Sequence, residues 1–342
     1  MMKQRIYIIA GPTASGKTAA AIGVAKRMNA EIVSADSIQI YRGLDIGSAK
    51  PSVQEQCGVP HHLIDCVDIE DRSFNVAMFR ERASEKIREI ASRGKNALVV
   101  GGTGLYINAL TYPLNFSSAE PNIERREELS KMEDADPGCL HKILSDIDPA
   151  TAQRLHVNDR KRIIRAIEIF EQTGQTASAH GGDFSNARGE EIEFEPIIAA
   201  LCFSDRAKLY ERIERRVDLM IENGLIDEVK AVAEKGYDRS LPALQGLGYK
   251  QLLMYLDGEC SFDEAIELIK RDTRRFAKRQ ISWFKRDKRI RSFFADKETA
   301  DGLVQSLYEY FMNPELFQED TPKQNRKENK PELCTEKHTA TY

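Results

Sequence analysis

Residues 6–18 read IYIIAGPTASGKT, and this stretch decides the fold. The apolar, β-branched run at 6–10 is typical of a buried parallel strand. Residues 11–18, the phosphate loop, match the pattern G-x-x-x-x-G-K-[ST] without a mismatch, and an alanine-rich helix is predicted to follow. Its glycines let backbone N–H groups turn inward, and the positive end of the helix dipole also attracts an anion. A chance glycine-rich turn would not be framed by a strand and a helix, so we expect a diphosphate or triphosphate here.

Three polar side chains near this loop have predicted roles. Lys17 supplies a point charge to the phosphates, and the Thr18 hydroxyl is placed to bind Mg²⁺. Asp36 directly follows a second predicted strand at 31–35. Because ligands of open α/β sheets bind outside the carboxyl ends of the strands, Asp36 should lie near the phosphate loop. It is a candidate general base or Mg²⁺ ligand, and the alternative is an ordinary helix cap.

A further buried strand is predicted at 96–100, and it runs directly into Gly101-Gly102-Thr103-Gly104. A nucleotide hydrolase would usually place a Mg²⁺-binding aspartate at the end of such a strand. Glycine and threonine at this point argue against ordinary nucleoside triphosphate hydrolysis.

Composition excludes several classes of protein. The chain has 342 residues, 41% of them hydrophobic and 30% charged, with a net charge of −4 and a pI of about 6.0. This is typical of a soluble globular protein, and the net acidity argues against an indiscriminate nucleic-acid coat. No apolar run approaches the length of a membrane span. The six cysteines are scattered without a C-x-x-C pair, so we expect a reducing cytoplasm.

One cysteine and histidine cluster raises the question of zinc. Cys57, His61, His62 and Cys66 have the spacing C-x₃-H-H-x₃-C, which matches no usual structural zinc site. The apolar residues at 63–67 instead indicate the approach of a third strand, so zinc is disfavoured.

The residue pattern changes in the middle of the chain. Between 112 and 196 strand-like runs disappear, and prolines separate charged helices predicted at 124–133, 138–144, 150–155 and 160–173. The predicted fold class is therefore α/β, with a P-loop parallel-sheet core and an all-helical insertion domain. The predicted domains are a core of residues 1–111 and 197–312 that includes C-terminal helices, an insertion of residues 112–196, and a disordered tail of residues 313–342.

Two helices deserve separate predictions. Asn158-Asp159 should cap the helix at 160–173, whose first turns carry lysine and arginine near the positive dipole end. A polyanionic partner explains those cations, although a solvated face is the alternative. A single long helix is predicted over 206–233.

The segment 270–291, called the basic segment, is the most strongly charged part of the chain. It holds eleven Lys and Arg residues against Asp272 and Asp287, a local balance of 11 − 2 = +9. Five of the cations share one helical face, namely Arg271, Arg274, Arg275, Lys278 and Lys285. Phe276, Trp283 and Phe284 supply rings that pack inward or stack on bases. In an acidic protein this pattern favours an RNA-facing stripe over a solvated face.

Together the motifs resemble those of tRNA dimethylallyltransferases. The matching stretches are GPTASGKT at 11–18, SADSIQIYRGLDIGSAKP at 34–51, PHHLID at 60–65, VGGTGLY at 100–106, NDRKRIIRAIE at 158–168, QGLGYK at 245–250 and AKRQISWFKR at 277–286. The resemblance covers residues 6 to about 291. It implies transfer of a dimethylallyl group from its diphosphate to N6 of the adenosine on the 3′ side of the tRNA anticodon, with Mg²⁺ as cofactor.

The resemblance also implies roles for individual residues. Asp36 matches the general base, Thr13 lies in the diphosphate pocket, and Arg216 contacts the leaving group; Lys17 completes the catalytic set. The implied diphosphate-binding residues are Gly11, Pro12, Thr13, Ala14, Ser15, Gly16, Lys17 and Thr18, with Thr18 also the metal ligand. The implied tRNA contacts are Asp36, Ser37, Ile38, Gln39, Thr103, Arg126, Lys161, Arg162, Ile163, Ile164, Arg165, Gln245, Gly246, Leu247, Gly248, Tyr249, Lys250, Lys278, Arg279 and Gln280.

Two other functions use the same phosphate loop. A small-molecule P-loop kinase would employ Asp36 as base toward a hydroxyl, but it has no need of the basic segment. An RNA-binding P-loop NTPase would need the acidic residue that the strand at 96–100 lacks. We expect a cytoplasmic monomer that binds the tRNA anticodon stem-loop and dimethylallyl diphosphate and no membrane.

Overall fold

The computed structural model of the chain describes residues 3–114, 121–179 and 192–317. Its strands are Gln4–Ala10 (β1), Ala30–Ser34 (β2), His61–His62 (β3), Asn96–Gly101 (β4), Phe194–Cys202 (β5) and Arg291–Phe294 (β6). They form one sheet in the order β3-β2-β4-β1-β5-β6, and all neighbouring strands are parallel. The predicted α/β class with a parallel-sheet core is confirmed.

Helices cover both faces of this sheet. In chain order they are Lys17–Met28 (α1), Val53–Gln56 (α2), Val76–Ser92 (α3), Gly104–Thr111 (α4), Ile123–Ala135 (α5), Cys139–Ile147 (α6), Pro149–Arg154 (α7), Arg160–Thr173 (α8), Arg206–Glu222 (α9), Leu225–Glu234 (α10), Tyr249–Leu256 (α11), Phe262–Phe284 (α12) and Ala300–Met312 (α13). Alternate residues of β1 point to opposite faces, as the pleat requires. Ile6 and Ile8 pack with α3 and α4, whereas Tyr7 and Ile9 pack with α1 and α13. Because both faces are covered, the strand is apolar at successive positions.

The described residues 121–179 contain the four helices predicted for this part of the chain. Helices α5 to α8 surround an apolar cluster of their own, which includes Leu129, Leu140, Leu144 and Ile167. One detail of the prediction is wrong. Asp159 occupies the position before α8, but its side chain accepts no capping hydrogen bond and instead pairs with Arg162 at 3.2 Å. The boundaries 112 and 196 stay a prediction, and β5 begins at Phe194.

Three other expectations are corrected. The long helix predicted over 206–233 is two helices, because the chain breaks at Asn223-Gly224 and Gly224 adopts a φ of 92°, a conformation that favours glycine. Strand β6 at the end of the basic segment was missed by the sequence analysis. The predicted tail begins too early, because Pro314–Phe317 forms a 3₁₀ turn whose Phe317 carbonyl accepts a hydrogen bond from Arg291. Residues 318–342 lie outside the described residues.

The histidines of the suspected zinc cluster are engaged by other partners. The short strand is His61–His62 itself rather than 63–67, and the His62 ring contacts Glu31 at 2.7 Å, while His61 contacts the Val59 carbonyl at 2.8 Å. Within the parts of the chain that the structure describes, no three His, Cys, Asp or Glu side chains are grouped to hold a metal ion. Over the same residues, no helix is both long and apolar enough to cross a membrane.

Candidate active site

The phosphate loop connects β1 to α1 at the carboxyl edge of the sheet. Gly11 has a φ of 146°, and a Cβ there would lie 2.7 Å from the Leu201 carbonyl oxygen of the neighbouring strand β5. Gly16 precedes α1 with a φ of 87° and no side-chain cap. The first backbone N–H groups of a helix have no partners within it, and here no side chain caps them. The predicted anion nest is therefore formed by the backbone itself.

Two partly buried cations flank this nest. The surrounding protein desolvates Lys17 and, with a smaller contribution from Arg216, lowers the Lys17 pKa to about 7; Asp36 opposes the shift. Desolvation likewise lowers the pKa of Arg216, again against the attraction of Asp36. The Lys17 ammonium donates to the Pro12 carbonyl at 2.6 Å, and Arg216 Nη1 donates to Thr13 Oγ1 at 3.1 Å. Because burial penalises both charges, an anion bound near them would offset part of that penalty.

Asp36 lies two residues beyond the end of β2 and faces the same space as the phosphate loop. Its Oδ1 accepts the backbone N–H groups of Ile38 at 2.9 Å and Gln39 at 3.2 Å, as in a capped turn. Its second carboxylate oxygen takes no part in either bond. The next residue, Ser37, donates its backbone N–H to Thr103 Oγ1 at 3.1 Å. One oxygen of Asp36 therefore caps a turn rather than a helix, and its role as general base or Mg²⁺ ligand stays a prediction for the other oxygen.

The glycines after β4 allow three close approaches. A Cβ on Gly101 would lie 2.1 Å from the Ala35 carbonyl oxygen, one on Gly102 would lie 2.2 Å from Gln280 Nε2, and one on Gly104 would lie 2.3 Å from the Trp283 ring. Any side chain here would push β4, β2 and α12 apart. This crowding gives the physical reason why the end of β4 carries no acidic side chain.

Two cavities meet at the phosphate loop. The first, of about 410 Å³, is lined by the loop, Asp36, Thr103 and the turn at 245–248, and its apolar wall comes from Ile213, Val217, Met220, Ile269 and Phe276. The second, of about 560 Å³, is lined by the loop and by Arg212, Arg215 and Arg216 of α9. Both cavities are lined by Ala14, Lys17, Thr18 and Arg216. The phosphate loop is therefore accessible from two sides, one lined by apolar residues and Asp36, the other by three arginines.

Comparison with known proteins assigns the chain to a family. A family model described as IPP transferase matches residues 39–287. The chain belongs to the IPP transferase family. It is 45% identical to the tRNA dimethylallyltransferase of Caldanaerobacter subterraneus, over 90% of this chain and 98% of the relative. It is 47% identical to the tRNA dimethylallyltransferase of Clostridioides difficile, over 91% and 98%.

Solved structures agree with this assignment to the IPP transferase family. The full-length tRNA isopentenylpyrophosphate transferase of Bacillus halodurans matches with a TM-score of 0.68 and 39% identity, over 91% of this chain and 96% of that one. A eukaryotic dimethylallyltransferase acting on tRNA matches with a TM-score of 0.75 and 28% identity, over 92% and 80%. The resemblance drawn from the motifs is thus confirmed, and the protein is a prenyl-transferring enzyme.

The structure separates the residues predicted to contact tRNA into exposed and buried groups. Exposed are Lys161, Arg162, Gln245, Lys250, Lys278 and Arg279. Ile163, Ile164 and Tyr249 are 1%, 6% and 0% exposed. The two isoleucines face the apolar cluster of α5 to α8, and the Tyr249 hydroxyl donates to Glu228. Because these three side chains are buried, they do not contact RNA as predicted. They support the surface that their neighbours present.

Two predicted arginine contacts are held within the protein. Arg126 donates through Nε and Nη2 to both oxygens of Glu168, at 2.9 and 2.7 Å, and Arg165 donates to the same carboxylate at 2.6 Å. The Glu168 side chain is only 1% exposed. A buried carboxylate needs such partners, since losing them would leave an uncompensated charge. Arg126 therefore joins α5 to α8, whereas Arg165 adds a partner to Glu168 within α8, and the RNA contacts of both arginines stay a prediction.

Some cations of the basic segment form ion pairs within the protein. Arg274 pairs with Glu214, and Arg271 and Arg275 pair with Asp272. Among the described residues, no ion pair involves Lys278, Arg279, Lys285, Arg286 or Lys288. Of the three rings, Phe284 is buried against the sheet, Trp283 packs beside it, and Phe276 lines the first cavity, so two of the three pack inward. The unpaired cations concentrate toward 278–288 rather than along the whole predicted face.

Sequence reasoning missed two residues that shape the site. Glu228 accepts the backbone N–H groups of 45–47 at 2.8 to 3.2 Å and so holds the segment after β2 against α10. Arg212 lies one helical turn before Arg216 and donates through Nε to the Ala14 carbonyl at 3.0 Å. The i, i+4 spacing of these arginines was the signal that would have found Arg212. Nothing in the local sequence marks Glu228.

Proposed function

We propose that the protein transfers a dimethylallyl group from dimethylallyl diphosphate to N6 of the adenosine on the 3′ side of a tRNA anticodon. The observation that carries this proposal is one cavity that combines an anion nest, an apolar wall and the carboxylate of Asp36. These three parts match a diphosphate, a five-carbon chain and an amine that must lose a proton. The names of the relatives supply the substrate class.

The chemistry follows from the weakness of the nucleophile. The lone pair of the adenine amine is delocalised into the ring, so attack on the allylic C1 requires a good leaving group. The N6–C1 bond forms as the C1–O bond breaks, and the electron pair leaves with the diphosphate. Lys17, Arg216 and the loop N–H groups stabilise that departing charge. Asp36 accepts the N6 proton through the carboxylate oxygen that does not cap the turn.

Magnesium fits the donor set of the site. The Thr18 hydroxyl lies on the first turn of α1, at the mouth of both cavities, and Asp36 lines the first cavity. Oxygen donors of this kind, together with diphosphate oxygens, suit a hard cation that keeps several waters. When bound, Mg²⁺ would supply charge neutralisation of the leaving diphosphate. The protein's own cations, Lys17 and Arg216, would add to this neutralisation.

The tRNA approaches the exposed cations in this proposal. Lys278, Arg279 and their unpaired neighbours would contact backbone phosphates, and the target base would leave the anticodon-loop stack to enter the cavity. The cytoplasm is the proposed site of action, supported by the free thiols of all five described cysteines. A monomer suffices, because the catalytic residues come from one chain.

Charge reversal within the basic segment tests the tRNA surface. We expect Lys278→Glu to weaken tRNA binding and to flatten its dependence on salt, because fewer counterions are released. Arg275→Glu is the matched control on the same helix. Arg275 is already paired with Asp272, so its reversal should have the smaller effect. Filter binding across a salt series measures both; equal effects, or an unchanged slope for Lys278→Glu, would assign Lys278 to a merely solvated face.

The reaction itself is tested by incubating the protein with unmodified tRNA, Mg²⁺ and dimethylallyl diphosphate. Mass analysis of the nucleosides should reveal an adenosine heavier by one C₅H₈ unit, with release of one diphosphate per transfer. Parallel reactions with ATP and a small alcohol, and with ATP and tRNA alone, examine the kinase and NTPase alternatives. Phosphate transfer or ATP hydrolysis without prenylation would overturn the proposal.

A further inference from the structure

Gln280 joins two segments that lie far from it in the sequence. It belongs to α12 and is only 7% exposed. Its Oε1 accepts the backbone N–H of Thr13 in the phosphate loop at 2.9 Å. Its Nε2 donates to the Gly102 carbonyl at the end of β4, also at 2.9 Å. One carboxamide therefore connects α12, the phosphate loop and β4.

The surroundings of this side chain demand a glutamine. One end must accept and the other must donate, which is the property of an amide and not of a carboxylate or an aliphatic chain. Gly102 has no Cβ to obstruct it, and a Cβ there would lie 2.2 Å from Gln280 Nε2. A buried polar group that loses its partner carries its full desolvation cost. Replacement of Gln280 would therefore leave a backbone N–H and a backbone carbonyl unsatisfied beside the anion nest.

Thr13 is held from two directions. Gln280 binds its backbone N–H, while Arg216 Nη1 donates to its hydroxyl oxygen at 3.1 Å. The two residues before Gln280 on α12, Lys278 and Arg279, are exposed. The helix thus presents cations to solvent and an amide to the phosphate loop within three consecutive residues.

We propose that Gln280 is a positioning residue for the phosphate loop rather than an RNA contact. It fixes Thr13 and, through the Thr13 hydroxyl, the guanidinium of Arg216, so that both face the diphosphate. This inference rests on the proposed function for the identity of the donor, and it departs from the resemblance, which implied a tRNA contact at this position. Both ends of the amide are engaged by backbone groups, one in the phosphate loop and one at the end of β4.

The test compares Gln280→Met with Lys278→Gln in the full-length chain. Methionine keeps the length of the side chain but removes both hydrogen bonds. We expect Gln280→Met to weaken binding of inorganic pyrophosphate with Mg²⁺, and to raise KM for dimethylallyl diphosphate, by about 10-fold, while the Kd for tRNA is unchanged. Lys278→Gln should give the reverse pattern. Calorimetry with pyrophosphate and filter binding with tRNA provide the two measurements.

A second variant keeps the test decisive if Gln280→Met does not fold. Glutamate at position 280 accepts from Thr13 but donates to Gly102 only when protonated. The pyrophosphate affinity of Gln280→Glu relative to the wild type should therefore recover as the pH falls, which a purely structural defect would not do. Pyrophosphate binding needs no prenyl transfer, so failure of the proposed reaction would leave this result standing. Wild-type pyrophosphate affinity in Gln280→Met, weakened tRNA binding in its place, or no pyrophosphate binding by the wild type would each overturn the inference.

Discussion

Asp36→Asn is expected to lower the single-turnover rate of prenyl transfer by about 10²- to 10⁴-fold, the range that a general base contributes. Asparagine preserves the local fold, because its amide oxygen still accepts the N–H groups of Ile38 and Gln39 that Oδ1 of Asp36 accepts in the wild type. The amide nitrogen that replaces the second oxygen cannot take a proton. The rate is measured with enzyme in excess over one unmodified tRNA.

The control for this prediction is binding of the donor. Lys17 and the loop N–H groups are untouched in Asp36→Asn, so pyrophosphate should bind as it does to the wild type. Asp36→Ala is a useful comparison, since alanine removes the turn cap together with the base and should also disturb the loop at 36–39. Near-normal turnover by Asp36→Asn, or a loss of pyrophosphate binding, would make Asp36 a metal-shell or structural residue.

Lys17→Met should impair binding and chemistry together. Lys17 lines both cavities at the phosphate loop, and the diphosphate it would contact carries more charge as it departs than it does in the substrate. Loss of one preorganised donor to a developing anion typically lowers kcat by about 10²- to 10³-fold. Affinity for pyrophosphate should fall as well, in contrast to Asp36→Asn. Retained pyrophosphate affinity in Lys17→Met would mean that the backbone nest alone holds the anion.

The lowered pKa of Lys17 adds a pH dependence. With a pKa of about 7 in the protein alone, the Lys17 amine is largely deprotonated above pH 7. A bound diphosphate favours the charged form and raises that pKa, so binding above pH 7 takes up a proton and the affinity falls as the pH rises. Diphosphate itself titrates near neutrality, and the informative quantity is therefore the proton uptake of the wild type minus that of Lys17→Met. Calorimetry in buffers of different ionisation enthalpy measures it, and no difference between the two would contradict the prediction.

Local sequence determined the frame of the site. Strand β1, the phosphate loop and α1 are contiguous, and each is recognised from residues that are adjacent in the sequence. Residues 6–18 were therefore enough to predict both the turn and its ligand. Asp36 was placed by a general property of parallel sheets, whose strand ends meet at one edge. The helices within 121–179 were recognised for the same reason, since apolar spacing and proline positions are local signals.

Tertiary structure alone decided which polar groups remain available for ligands. Thr13 and Gln280 are hydrogen-bonded although they are 267 residues apart in the chain, and Arg126 pairs with Glu168, which is 42 residues away. Sequence spacing does not reveal such pairings. Some of the cations on the predicted helical face are therefore neutralised by ion pairs that the sequence did not predict. Burial acts in the same way on Ile163 and Tyr249, which lie within matching motifs yet face the interior. The residues of the phosphate loop are adjacent in the sequence, so the local sequence specified them. The partners that hold them in place come from distant segments, so only tertiary packing decided which residues they are.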